Sequence, residues 1–247
     1  MDKSMDIKEL NSILANQKVL YNQNREIIYA NIFHDTIKGS EWLADDFSLS
    51  PGGAALGYPA LYVLYRILNE VNPKRILEMG LGQSTKIISQ YNKHFPDCRH
   101  QVVEHDHLWI DFFLNHFQLP ESIGIVELPI KDISINLDGN PTEITVYEGF
   151  AEHFEGQSFD FICIDGPYGY TSPRYARADL MSILPECLKE SFVIFLDDCN
   201  REGEKNTFNL MSETLKEHGI THYLNIYHGE KDTGLIVSED NAFLCTM

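Results

Sequence analysis

Positive charge is scarce in this chain. Nineteen lysines and arginines stand against 37 acidic residues, a formal net charge of −18, and such a field repels phosphate backbones instead of releasing their counterions. The expectation is no nucleic acid partner. Cysteine is sparse too: Cys98, Cys163, Cys187, Cys199 and Cys245 occur singly, with no Cys-x-x-Cys pair, and read as small buried hydrophobes in a reducing compartment. Long apolar runs are missing. The stretch MDKSMDIKELNSILANQKVL lacks the uninterrupted apolar segment of a signal peptide, and AALGYPALYVLYRIL (54–68) is short for a membrane span and contains Gly57, Pro59 and Arg66. A buried helix, no membrane partner and a cytoplasmic location are expected.

What is present is a globular composition: 247 residues, 43% hydrophobic and 11% aromatic, enough for a sizeable core in one α/β unit. Residues 1–59 read as an N-terminal helical extension and lid-like loop, with one or two helices between 6 and about 35 and a turn-rich loop at Ser48–Pro59. From residue 60 to 247 a helix near Ala60–Val71 leads into β-rich runs at 75–80, 100–106, 159–166 and 191–198. Helical segments are expected at Thr85–His94 behind a Ser84 N-cap, at Tyr175–Leu184, and at Glu204–His218 before Gly219. That alternation implies a parallel sheet with right-handed crossovers. Between Gly124 and Gly149 the alternation stops and a β-hairpin is expected around Asp138-Gly139-Asn140-Pro141. The runs 222–229 and 233–238 are joined too tightly to be parallel, so they should form an antiparallel edge.

In RILEMGLGQST (75–85) a β-run passes straight into Gly80-x-Gly82 and a helix start, where backbone and ligand can approach closely and free N–H groups face an anion. Thr85 stands where a dinucleotide fingerprint has its third glycine, which weakens a nicotinamide reading. Glu78 precedes Gly80 by two positions, and Glu104 closes the next run, 22 residues beyond Gly82, where a carboxylate can accept from a ribose diol. This stretch resembles motif I of the class I S-adenosylmethionine-dependent methyltransferases. The resemblance implies an α/β fold with a doubly wound, Rossmann-like, seven-stranded mixed sheet. It also implies that S-adenosylmethionine is bound by Glu78, Gly80, Gly82, Ser84, Thr85, Glu104, His105 and Asp165.

FDFICIDG ends in Asp165 and SFVIFLDD ends in Asp197 and Asp198. Carboxylates at the ends of apolar strands are costly to bury without a positive partner. The arrangement resembles the metal-dependent O-methyltransferases of the catechol type, which implies Mg²⁺ on Asp165, Asp197 and Asp198, although the pair here is Asp-Asp where that family has Asp-Asn. The alternative is an internal Asp198–Arg201 ion pair, with Asp197 facing the substrate and no metal. IDGP, SPRYARADL and FLDDCNREGE also resemble a bacterial branch of the same fold, which implies methyl transfer without naming the acceptor.

Tyr168, Arg174, Tyr175, Arg177 and Arg201 are expected to wall a small-molecule acceptor, and Asp165 and Asp197 to orient or deprotonate its hydroxyl. Asp165-Gly166-Pro167-Tyr168 differs from the Asp-Pro-Pro-Tyr turn of amino-methyltransferases by its first glycine. His105 and His107 lack an evident third ligand for zinc. The reading is an O-methylating enzyme whose N-terminal helices either lid the cofactor or join two copies in a homodimer. The alternatives are a non-catalytic regulatory module of the same fold and a nicotinamide-dependent oxidoreductase.

Overall fold

The computed structural model describes residues 7–44, 48–136 and 139–246. Seven strands form one sheet: β1 (Arg75–Met79), β2 (Arg99–Glu104), β3 (Ile123–Glu127), β6 (Phe159–Ile164), β7 (Leu188–Leu196), β8 (His222–Tyr227) and β9 (Thr233–Ser238). Their order is β3-β2-β1-β6-β7-β9-β8, with every pair parallel except the two that involve β9. The antiparallel tail pair is as expected. The sheet is doubly wound: the chain builds outward from β1 through β2 to β3, then returns to place β6 on the other side of β1. Ligands bind such sheets beyond the carboxyl ends of the strands at the switch point, here between β1 and β6.

Period-two alternation decides which helices cover which face. Ile76, Phe161, Cys163, Val193, Phe195, Leu235 and Val237 join one buried cluster with α1 (Ile7–Thr36), α2 (Tyr58–Arg66) and α3 (Gln83–His94). Their strand neighbours Leu77, Met79, Ile162, Ile164, Ile194, Leu196 and Ile236 face the other way, toward α5 (Phe150–Phe154) and α6 (Glu202–Glu217). Each such side chain stabilises the fold by about 1.5–3 kcal/mol on leaving water. β4 (Ile130–Asn136) and β5 (Pro141–Tyr147) form the expected hairpin as a separate two-stranded sheet; Leu137 and Asp138 of its turn lie outside the described residues.

The N-terminal extension is a single helix, Ile7–Thr36, within the one or two expected. Several expectations need correction. α3 starts at Gln83 with Gly82 as its cap, because the Gly82 N–H donates to Thr85 Oγ1 and leaves Ser84 inside the helix. No helix runs over 175–184. Arg177 there takes a left-handed φ of 56°, and only a short 3₁₀ turn, Asp179–Ser182, survives. The segment's polar side chains are drawn into tertiary contacts instead. β3 and α4 (His107–His116) went unanticipated: β3 is an edge strand carrying Gly124, and α4 is apolar on its exposed side, which hides its period. Among the described residues no helix is long and apolar enough to cross a membrane.

Candidate functional site

A cavity of about 590 Å³ opens at the β1–β6 switch point, within the range of small-molecule sites. At one end lie the glycine turn after β1 and the end of β2. Gly80 has φ +102°, and a Cβ on it would sit 3.1 Å from the Asp165 carbonyl carbon, so only glycine lets the β1 and β6 ends close up this tightly. Gly82 is different: its backbone is extended and a Cβ would meet nothing within 4 Å, so its missing side chain leaves cavity space open.

Glu104 also lines this end. Its Oε2 accepts the Leu81 N–H at 3.0 Å, and its Oε1 accepts those of His105 at 2.7 Å and Asp106 at 3.0 Å. Three backbone donors fix the carboxylate while leaving acceptor capacity for a ligand diol. His105 closes the wall above it, meeting the Tyr168 ring edge-on at 4.6 Å. Tyr147, on β5, contributes a buried hydroxyl that lines the cavity and has no hydrogen-bond partner; burial, then the charge of Glu104, pushes its pKa well above the usual tyrosine value. An orphaned hydroxyl beside a glycine cradle and a fixed carboxylate fits a nucleoside-bearing cofactor.

Glu78 and Thr85 do not join this end. Glu78 is completely buried, 2.9 Å from His100 Nε2 on β2 without hydrogen-bond alignment, and does not line the cavity. Glu78 stands one residue before the end of β1, and its carboxylate turns toward His100 instead of the mouth. Thr85 is spent on the Gly82 N–H. Ser84, nearly buried, still lines the wall.

At the other end Asp165, Asp197 and Asp198 converge with carboxylate oxygens within 4.8 Å of one another. Positive groups already stand between them. Arg177 reaches Asp165 Oδ1 at 3.0 Å and Asp198 Oδ2 at 2.9 Å, Arg201 reaches Asp198 Oδ2 at 3.0 Å, and Lys231 lies 2.6 Å from Asp197 Oδ2 and 3.4 Å from Asp198 Oδ1. Thr233 Oγ1 donates to the other Asp197 oxygen at 3.2 Å. Burial works against the Arg177 and Lys231 charges, but the facing carboxylates outweigh it and hold both pKa values above the ordinary ones. A magnesium ion does not fit a carboxylate set whose shared space is occupied by a guanidinium and an ammonium. The Asp198–Arg201 pair exists, and Asp197 is fully buried against Lys231 and Thr233 and does not line the cavity.

Asp165 alone of the three keeps a fifth of its side chain open. Burial pushes its pKa up, the adjacent Arg177 opposes and Asp197 reinforces, for a value of about 7. A carboxylate poised there can take a proton near neutral pH.

The acceptor wall is only partly as expected. Tyr168 and Arg201 line the cavity, and Tyr170 stands 5.3 Å from Tyr168. Arg177 lines it too, although it is buried and its guanidinium is held by Asp165 and Asp198. Arg174 and Tyr175 lie elsewhere: Arg174 donates to Thr142 of β5, and Tyr175 packs with Ile144, Val146 and Ala178 against the small sheet. Sequence reasoning missed Tyr147, Lys231 and Trp109, whose indole N–H donates to the Leu81 carbonyl at 2.7 Å; the roof formed by Ala54, Ala55 and Leu56 belongs to the loop read as lid-like. Lys231 sits in HGEKDTG, which carries only the signal of a charged turn.

No family model matches the chain, and no curated protein matches it. Among solved structures it is similar to the Podospora anserina methyltransferase PaMTH1 bound to S-adenosylhomocysteine (10% identity, 97% of this chain and 100% of that one, TM-score 0.46). It is similar to the O-methyltransferase TomG of Streptomyces achromogenes in complex with S-adenosylmethionine (14%, 87% and 89%, 0.47). It is similar also to a spermidine synthase (17%, 72% and 61%, 0.46). Likeness at this level spans more than one activity and assigns none. On its strand order the chain has the doubly wound, seven-stranded mixed sheet that the sequence resemblance implied.

Proposed function

We propose that the chain is an S-adenosylmethionine-dependent methyltransferase acting on a hydroxyl of a small, polar or aromatic molecule. The observation that carries this reading is the continuity of one cavity from Gly82 and Glu104 to Asp165, Arg201 and Lys231, so that a cofactor and an acceptor would share it. The cofactor, when bound, supplies a methyl group on a sulfonium that needs no activation. The chain's own work is then alignment and proton removal.

Glu104 anchors the nucleoside end by a carboxylate that three backbone amides hold still. Tyr168, His105 and Trp109 shield that end from water. Asp165, with its raised pKa, takes the acceptor's hydroxyl proton, while Arg177 holds its carboxylate toward the cavity at 3.0 Å. The cavity is small and the protein strongly acidic, which favours a metabolite over a nucleic acid. Five free cysteines, four of them buried, accord with a cytoplasmic location.

The test is a thermal-shift panel with S-adenosylhomocysteine and NADH, followed by incubation with methyl-labelled cofactor and a small-molecule extract. A rise in Tm with S-adenosylhomocysteine alone and label transfer to a small molecule are expected. Stabilisation by NADH alone would replace this reading with an oxidoreductase. Cofactor binding without transfer to any acceptor would favour a regulatory module.

A further inference from the structure

The three-carboxylate cluster resembles a divalent metal site in composition but not in occupancy. We propose that Lys231 is a built-in substitute for the metal: its ammonium, with the Arg177 guanidinium, holds Asp165, Asp197 and Asp198 together so that the acceptor end of the cavity works without a divalent cation. The role at the acceptor end rests on the methyltransferase reading; the cation exchange does not.

The ammonium donates to two acceptors, Asp197 Oδ2 at 2.6 Å and the Ala55 carbonyl at 3.2 Å, and pairs by charge with Asp198 Oδ1 at 3.4 Å. Its side chain is nearly buried while still lining the cavity. The charges around it are close to balanced. Four acids, Asp165, Asp197, Asp198 and the buried Glu204, face three cations, Arg177, Arg201 and Lys231. A divalent ion would bring a fourth and fifth positive charge into the same space. It would also need carboxylate oxygens at about 2.0–2.6 Å that Lys231 and Arg177 already hold.

The backbone is committed to the same arrangement. Arg177 and Asp198 both adopt left-handed φ, 56° and 62°, which non-glycine residues rarely do, and their side chains meet at 2.9 Å. Backbone strain of this kind persists where the surroundings over-determine it, and it clusters at functional sites. The turn carrying Lys231 is fastened from outside as well: Glu26 of α1 accepts the N–H groups of Tyr58 and of Glu230, the residue next to Lys231. Lys231 is thus a positioning residue. It holds Asp197 and Asp198 and ties them to the roof at Ala55, leaving Asp165 as the carboxylate open to the acceptor.

The experiment is a Mn²⁺ titration of the full chain followed by electron paramagnetic resonance, for the wild type and for Lys231→Met. The wild type is expected to bind no Mn²⁺ more tightly than millimolar, and EDTA to leave both its Tm and its S-adenosylhomocysteine affinity unchanged. Lys231→Met, which vacates the cluster, is expected to gain a single site at least tenfold tighter, with Mg²⁺ raising its Tm. Stoichiometric Mn²⁺ binding by the wild type, abolished by Asp198→Asn, would overturn the proposal, and so would a folded Lys231→Met that gains no site. If Lys231→Met does not fold, the wild-type titration and the EDTA comparison decide alone. S-adenosylhomocysteine calorimetry on the same samples separates the two readings: absent binding removes the methyltransferase assignment and leaves the Mn²⁺ result standing.

Discussion

The Leu81 amide donates to Glu104 Oε2 at 3.0 Å, joining the glycine turn after β1 to the carboxylate that closes β2. Two strand ends that are 23 residues apart in the chain therefore form one rigid ledge. Neither could present a fixed acceptor to a ligand without the other, because the turn has no side chain to offer and a lone glutamate at a strand end would be solvated.

Removing the acceptor should weaken cofactor binding. Glu104→Gln keeps a carbonyl oxygen for the backbone donors but loses the charge, and a hydrogen bond to a charged group contributes about 1.5–3 kcal/mol. Calorimetry with S-adenosylhomocysteine is expected to show a loss of roughly tenfold or more at about 1.4 kcal/mol per decade, with a larger loss and a lower Tm for Glu104→Ala. Wild-type affinity in both variants would place the nucleoside elsewhere.

Tyr147→Phe separates binding from folding. Its hydroxyl is buried without a partner, a state that costs about 1–3 kcal/mol, so the variant should be as stable as the wild type or more stable when unliganded. S-adenosylhomocysteine affinity should fall several-fold if the hydroxyl meets the cofactor. An unchanged affinity with a raised Tm would assign that hydroxyl to no ligand.

Asp165→Asn should abolish proton removal while sparing cofactor affinity. General base catalysis contributes about 10²–10⁴-fold, and turnover with an acceptor found by label transfer should drop by that order. In the wild type the ionised form is the active one, so the rate should rise with pH through about 7 and then level. A rate that is flat between pH 5 and 9 would rule Asp165 out as the base.

Asp179 gives a stability signature independent of turnover. It is buried, one carboxylate oxygen accepts the Tyr147 N–H at 2.6 Å and the other has no partner, and burial pushes its pKa up to about 7. A carboxyl raised in the folded state favours folding below the unfolded value of 3.8 and loses that advantage as pH rises toward 7. Asp179→Asn, which carries no charge to desolvate, should therefore gain Tm relative to the wild type at pH 8 and gain little at pH 4.5, as followed by calorimetric melting.

Much of this was legible in the chain itself. Strand-period runs ending in Gly80, Glu104, Asp165 and Asp197 announce a parallel sheet with acids and a glycine turn at one edge, because a parallel sheet is buried on both faces and polar residues survive only at its ends. Glu78 shows the limit of that logic. It lies in the same motif, yet side chains alternate along a strand, and its partner His100 is set by the parallel register that places Glu78 opposite Val102.

The sequence by itself determined every strand of the sheet but β3, its antiparallel tail and the identity of the acids at its rim, since local periodicity and strand-end polarity need no distant partner. Only the tertiary structure decided what those acids touch. Lys231 reaches Asp197 from a turn 34 residues away, and Arg177 abandons the expected helix to lie between Asp165 and Asp198. Three carboxylates brought into one buried space require compensating charge. Which cation supplies it depends on the packing of β9, the turn before it and the segment after β6, and no local pattern encodes that packing.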